Sequence, residues 1–146
     1  MRTLDIDERA MIASLDVDEC LVLLRWEPIV RLAYGVRGEA PIVVPVNITV
    51  TDDRTVLFRS DDGTKLDRIR EQPVSLQADR FDWYRRIGWS VLVRGIAHEF
   101  QPTDDHPDPQ PWAPGAKQHW VRVEPTAISG RRLSLAETPD DCRGYL

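Results

Sequence analysis

The chain has 146 residues, 42% hydrophobic and 29% charged, with a formal net charge of −5. That length suits one domain with a core of its own, and the composition excludes a disordered chain. The acidic balance excludes a whole-protein attraction to nucleic acid or to an anionic membrane surface.

Residues 1–14 read as an N-terminal arm. The opening MRTLDIDERAM is acidic and lacks a signal-peptide core, and no later apolar run approaches a membrane span, so the expected location is the cytoplasm. In SLDVDECLVLLRWE, Asp16 followed three residues later by Glu19 matches a capping box. Val17, Leu21 and Leu24 recur at helical spacing, which predicts a short amphipathic helix.

After Pro28 the pattern changes to strands. IVRLAYGV and APIVVPVNITV, separated by the turn-sized RGE, predict a β-hairpin. Pro45 inside the second run removes a ladder donor and predicts a sheet edge or a bulge. Asn47 carries donors and an acceptor suited to the edge of a heterocycle, and it is equally suited to the outside of a half-exposed strand. TDDR is a further turn and TVLF a third strand.

The stretch FRSDDGTKL joins that strand to a helix of about two turns, TKLDRIREQ, which Pro73 stops. Lys65 in its first turn opposes the positive end of the helix dipole, where an anion is more favourable. Arg59, Ser60, Thr64 and Lys65 could therefore converge on a phosphate. Alternatively, Asp62 or Thr64 caps the helix and Lys65 pairs with a neighbouring aspartate. The spacing of a P-loop is absent.

VSLQADRF, WSVLVRGIAHEF and HWVRVEPTAI complete six expected strands, with the Pro- and Gly-rich QPTDDHPDPQPWAPGAKQ between the last two. Six strands with few helices suggest a small antiparallel barrel, because closure removes exposed edges. Of the five tryptophans, Trp112 stands in that loop, where a contact surface or a partner subunit is a better reading than core. Cys20 and Cys142 form no CxxC and read as free thiols. The histidines are scattered, and DDHPDP around His106 reads as a solvated loop, so no metal site is expected. No nucleophile constellation is visible, which favours a bound cofactor as the source of any hard chemistry.

Taken together and in order, PVN in the second strand, FRS…GTKL and GWSVLVRG resemble the pyridoxamine 5′-phosphate oxidase-like FMN-binding split-barrel family, in its short branch near the nitroimidazole-resistance proteins. The resemblance spans residues 15–133, leaving 134–146 as a polar tail. It implies a six-stranded antiparallel split barrel with short flanking helices. It also implies an FMN whose phosphate is held by Arg59, Ser60, Thr64 and Lys65, with the isoalloxazine edge lined by Pro45, Val46 and Asn47. Trp89 and Ser90 would approach the ring from a neighbouring strand, and Trp112 from the partner chain of a homodimer that carries its cofactors at the interface.

The implied activity is hydride or electron transfer to a small-molecule acceptor. The alternatives are a deazaflavin-dependent reductase of the same fold, or a flavin- or haem-binding protein without turnover. The basic residues that hold the substrate of the family's namesake oxidase have no placeable counterpart in this sequence. Vitamin B6 chemistry is therefore not expected.

Overall fold

The computed structural model describes residues 10–135. They form eight strands and two short helices: β1 (Ala10–Leu15), α1 (Val17–Arg25), β2 (Ile29–Tyr34), β3 (Ile42–Asn47), β4 (Thr49–Val50), β5 (Val56–Ser60), α2 (Thr64–Ile69), β6 (Pro73–Asp82), β7 (Ile87–Phe100) and β8 (His119–Leu135). One curled antiparallel sheet runs in the order β3-β2-β6-β7-β8-β5-β4, with β1 added on β8, and makes a split barrel.

Six strands were expected and eight are present. The expected second strand is cut after Asn47, so that Thr49–Val50 pairs with β5 instead of β2. The other addition, β1, lies mostly in the expected arm, where its residues pair along β8 from Leu15↔Gly130 to Ala10↔Leu135. The arm is thus part of the sheet from residue 10 onward. Residues 136–146, including Cys142, lie outside the described residues.

Local chemistry accounts for the elements. Asp16 caps α1, its carboxylate accepting from the Glu19 N–H at 2.8 Å. Pro45 lies on β3, at the end of the strand order, where its missing N–H costs no ladder bond. The core fills the inner face of the sheet and the two helices: Cys20 and Leu24 from α1 and Leu66 and Ile69 from α2 join Leu32, Phe58, Leu76, Val93 and Val121 in one buried cluster. Among the described residues no helix is long and apolar enough to cross a membrane.

Alternation along the strands defines the opposite face. The inner row Leu32–Leu76–Val93 has as its neighbour Pro45–Arg31–Gln77–Leu92–Ser129, which points away from the core. The register shift at Arg94/Gly95 is absorbed by β8, so the alternation of β7 continues unbroken to Phe100.

Candidate functional site

The loop 101–118 fastens the site together by gripping two strand ends. At the end of β3, the Trp112 N–H donates to Asn47 Oδ1 at 2.8 Å, while Asn47 Nδ2 donates to the Pro28 carbonyl at 3.1 Å. At the end of β5, Arg59 donates to the Lys117 carbonyl (2.9 Å), the Ala116 carbonyl (3.2 Å) and both carboxylate oxygens of Asp108 (3.1 and 3.2 Å). Its guanidinium also lies 5.4 Å from the centre of the Trp120 ring. Arg59 therefore spends most of its hydrogen-bonding capacity on shaping the loop, and Asn47 ties the loop to Pro28.

The turn before α2 is equally committed. Ser60 is buried, and its hydroxyl donates to the Asp61 carbonyl at 2.9 Å. Asp61 takes the backbone N–H and the ammonium of Lys117, both at 2.7 Å, and these bonds hold its carboxyl below the usual range. Asp62 meets His119 Nε2 at 2.5 Å; His119 Nδ1 meets Glu99 at 2.5 Å, and Glu99 is paired with Arg70 at 2.8 Å. Between two carboxylates the imidazole pKa is raised, first by the bond to Glu99.

With both aspartates engaged elsewhere, the helix start lacks the expected side-chain cap. Gly63 stands at the N-cap with φ 138°, a conformation open to glycine, and no side chain bonds the first turn. Lys65 likewise lacks the expected aspartate: it makes no ion pair among the described residues and is only partly exposed. Its ammonium is pushed below the usual lysine range, by burial first and then by the charge of Lys117, with Asp61 offsetting part of this. A cation held partly out of water beside another cation is short of an anion.

The loop thus joins Asn47, Arg59 and Trp112 directly, and its Lys117 grips Asp61 in the turn that carries Ser60, Thr64 and Lys65; Pro45 and Val46 precede Asn47 on β3. Val46 faces inward and is buried in the core, as alternation dictates, whereas Pro45 is exposed. Trp112 meets Asn47 through its backbone N–H, and the residue is 67% exposed. Trp89 and Ser90 are not part of this group. They sit at the opposite end of β7 from Phe100, which faces Trp120 and, across β8, Arg59. Ser90 instead lines a separate cleft of about 550 Å³ with Ser14, Gln77, Leu92 and Arg131.

The residues not foreseen, Asp61, Asp108, Lys117, His119 and Glu99, come together through β8 pairing with β5 and β7. Lys117, two residues before the last strand, was the one local signal available. Among the described residues no group of three or more His, Cys, Asp or Glu is placed to hold a metal ion.

This architecture has counterparts in known proteins. A sequence model of the pyridoxamine 5′-phosphate oxidase family matches residues 16–132. The chain belongs to that family. The chain is 32% identical to the Mycobacterium tuberculosis protein Rv0080, over 84% of this chain and 86% of that one. Among solved structures it is similar to the FAD-binding protein of Mycobacterium smegmatis, with a TM-score of 0.68 and 35% identity over 84% of this chain and 98% of the other. An FAD-binding protein from Mesorhizobium loti superposes with a TM-score of 0.69 at 25% identity, covering 86% and 98% of the two chains.

Proposed function

We propose that this protein binds a flavin and is an oxidoreductase that passes hydride or electrons to a small-molecule acceptor. The observation that carries the reading is Lys65, a partly buried ammonium without an ion-pair partner among the described residues, at the uncapped start of α2. That donor set fits a phosphate: one free cation, the Thr64 hydroxyl and first-turn amides with no intrahelical acceptor. Arg59 and Ser60 serve the same site indirectly, holding the loop and the turn in place.

Pro45, Asn47 and Trp112 would then border the ring, with Trp112 contributed by the same protomer as Lys65. Trp89 and Ser90, at the far end of β7, would meet a ring only in a homodimer whose second copy brings them there. A bound flavin supplies hydride transfer at its N5 atom, and the protein supplies position and shielding from water. The FAD-binding relatives support a flavin in general, and our choice within that class is FMN. A monophosphate is the simplest match to one free lysine.

The test is an absorption spectrum of the purified protein, followed by denaturation and mass analysis of what is released. FMN is the expected product. Release of FAD, or a colourless protein that binds only added deazaflavin, would reassign the cofactor, and a protein that binds none of the three would overturn the reading. Lys65→Met is expected to weaken FMN roughly 10- to 100-fold, the equivalent of about 1.5–3 kcal/mol for a hydrogen bond to a charged group. Riboflavin, which lacks the phosphate, should lose little.

A further inference from the structure

The imidazole of His119 stands between two carboxylates at the base of the turn that leads into α2. Nε2 lies 2.5 Å from Asp62 Oδ1, and Nδ1 lies 2.5 Å from Glu99 Oε1. An ionised carboxylate only accepts hydrogen bonds, so both ring nitrogens must carry a hydrogen, which only the imidazolium does. The neutral ring has a single N–H and can keep only one of the two partners.

The surroundings decide which partner stays. Glu99 comes from β7, its side chain is 24% exposed, and Arg70 at the end of α2 holds it independently, through Nε at 3.0 Å and Nη2 at 2.8 Å. Asp62 is 87% exposed and has no other partner among the described residues. Asp62 and Glu99 are the charged groups that act on the ring; Ser60, opposite on β5, is uncharged, and Lys117, two residues back, is committed to Asp61. Loss of the proton therefore releases Asp62.

A released Asp62 has an unpaired cation close along the chain. Lys65 is three residues on, partly buried and without an ion pair among the described residues. The turn between them is open, since even a Cβ added at Gly63 would meet nothing within 4 Å. One reading of the sequence pairs Lys65 with a neighbouring aspartate. Here His119 holds that aspartate away.

We propose that His119 is a proton-operated positioning residue for the anion site. Charged, it keeps Asp62 off Lys65 and leaves the ammonium to the cofactor phosphate; neutral, it frees Asp62 to take the ammonium and displace that phosphate. The inference rests on the reading of Lys65 as the phosphate ligand and adds the regulation of that site. Its sign follows from the ring's environment. The imidazole pKa is raised above its ordinary value, so FMN binds tightly below the raised value and weakens as pH rises through it. The second ionisation of the phosphate, at about pH 6, acts the other way and is the same in every variant.

The experiment is a fluorescence titration with FMN from about pH 6.5 to about pH 9, on the parent, Asp62→Asn, His119→Gln and the double variant. The parent should lose affinity about tenfold across the range, Asp62→Asn should bind tightly throughout, and His119→Gln should bind weakly throughout. Adding Asp62→Asn to His119→Gln should restore tight binding, a rescue that general loss of structure around residue 119 would not allow. An Asp62→Asn protein as pH-dependent as the parent, or a His119→Gln protein that matches the parent at the acid end, would overturn the proposal.

NMR titration of the His119 ring keeps the two readings apart. The probe is sulfate, a dianion over this whole range, compared with chloride at equal ionic strength. Sulfate should raise the His119 midpoint in the parent and not in Asp62→Asn, and an unmoved midpoint in the parent would overturn the proposal. A protein that binds no FMN but shows the sulfate effect would sink only the cofactor assignment. One that binds FMN with neither a sulfate effect nor a dependence on Asp62 would sink only the switch.

Discussion

Lys117 holds Asp61 twice, its backbone N–H reaching Oδ1 and its ammonium reaching Oδ2, each at 2.7 Å. The loop can close on Asp61 this tightly because residue 115 is glycine. Its φ is 120°, and a Cβ there would stand 2.5 Å from Asp61 Oδ2. Gly115→Ala should therefore displace the carboxylate from Lys117 and cost about 1–3 kcal/mol of stability in urea unfolding. A variant within about 0.5 kcal/mol of the parent would mean that the loop relaxes at no penalty.

The chain Asp62–His119–Glu99–Arg70 ties both flanks of α2 to β7 and β8. The pKa of His119 is raised in the folded protein, so its contribution is complete below the unfolded value of about 6.5 and is lost as pH rises through the folded one. Glu99 is lowered, first by its bond to His119, so its contribution is complete above about pH 4.3 and is lost as pH falls through its folded value. The gap in melting temperature between the parent and His119→Gln should be widest between about pH 5 and 6 and narrow towards alkaline pH. A gap constant from pH 5 to 9 would show that the imidazolium contributes no charge pairing.

Asn47 joins β3 to the loop through Trp112 and to Pro28 through its amide. Asn47→Ala removes both bonds and should cost about 1–2 kcal/mol, with faster proteolytic nicking within residues 101–118. Asn47→Asp keeps the acceptor for the Trp112 N–H and should nick more slowly than the alanine variant. Equal nicking rates for all three proteins would place the loop's anchorage elsewhere.

Cys20 is fully buried against Gly130, where an added Cβ would stand 2.6 Å from its sulfur. Its thiol pKa is raised, by burial first and then by the charges of Asp16 and Glu19. In a Cys142→Ser background, Cys20 should resist a thiol reagent at pH 8 until the protein unfolds, with labelling rates that track denaturant. Prompt labelling of the folded protein would show that α1 opens independently of the sheet.

Much of the fold was legible because it rests on local patterns. The Asp16 cap, the alternation in β6 and β7 and the edge placement of Pro45 are properties of a few neighbouring residues each. β1 was not legible: its AMIASL run lies in what reads as an arm, and only β8, more than a hundred residues away, makes it a strand. The site divided in the same way. FRSDDGTKL marked the strand end and the start of α2, but nothing within that stretch says that Asp61 belongs to Lys117 or that Arg59 faces Asp108. Those pairings follow from tertiary register. Asn47 reads from sequence equally as a contact for a heterocycle and as the outside of a half-exposed strand; its bonds to the Pro28 carbonyl and the Trp112 N–H depend on partners that only the tertiary structure brings to it.

β8 pairs with β1, β5 and β7, and it is the last described strand to be synthesised. Until it emerges from the ribosome, three earlier strands each lack a hydrogen-bonding neighbour, and the pairing of β1 requires the two ends of the described chain to find each other. Contacts of such long sequence separation make folding slow and leave strand edges open to other chains in the interval. Chaperone demand and aggregation during expression should therefore depend more on the strength of β8 than on that of any strand made before it.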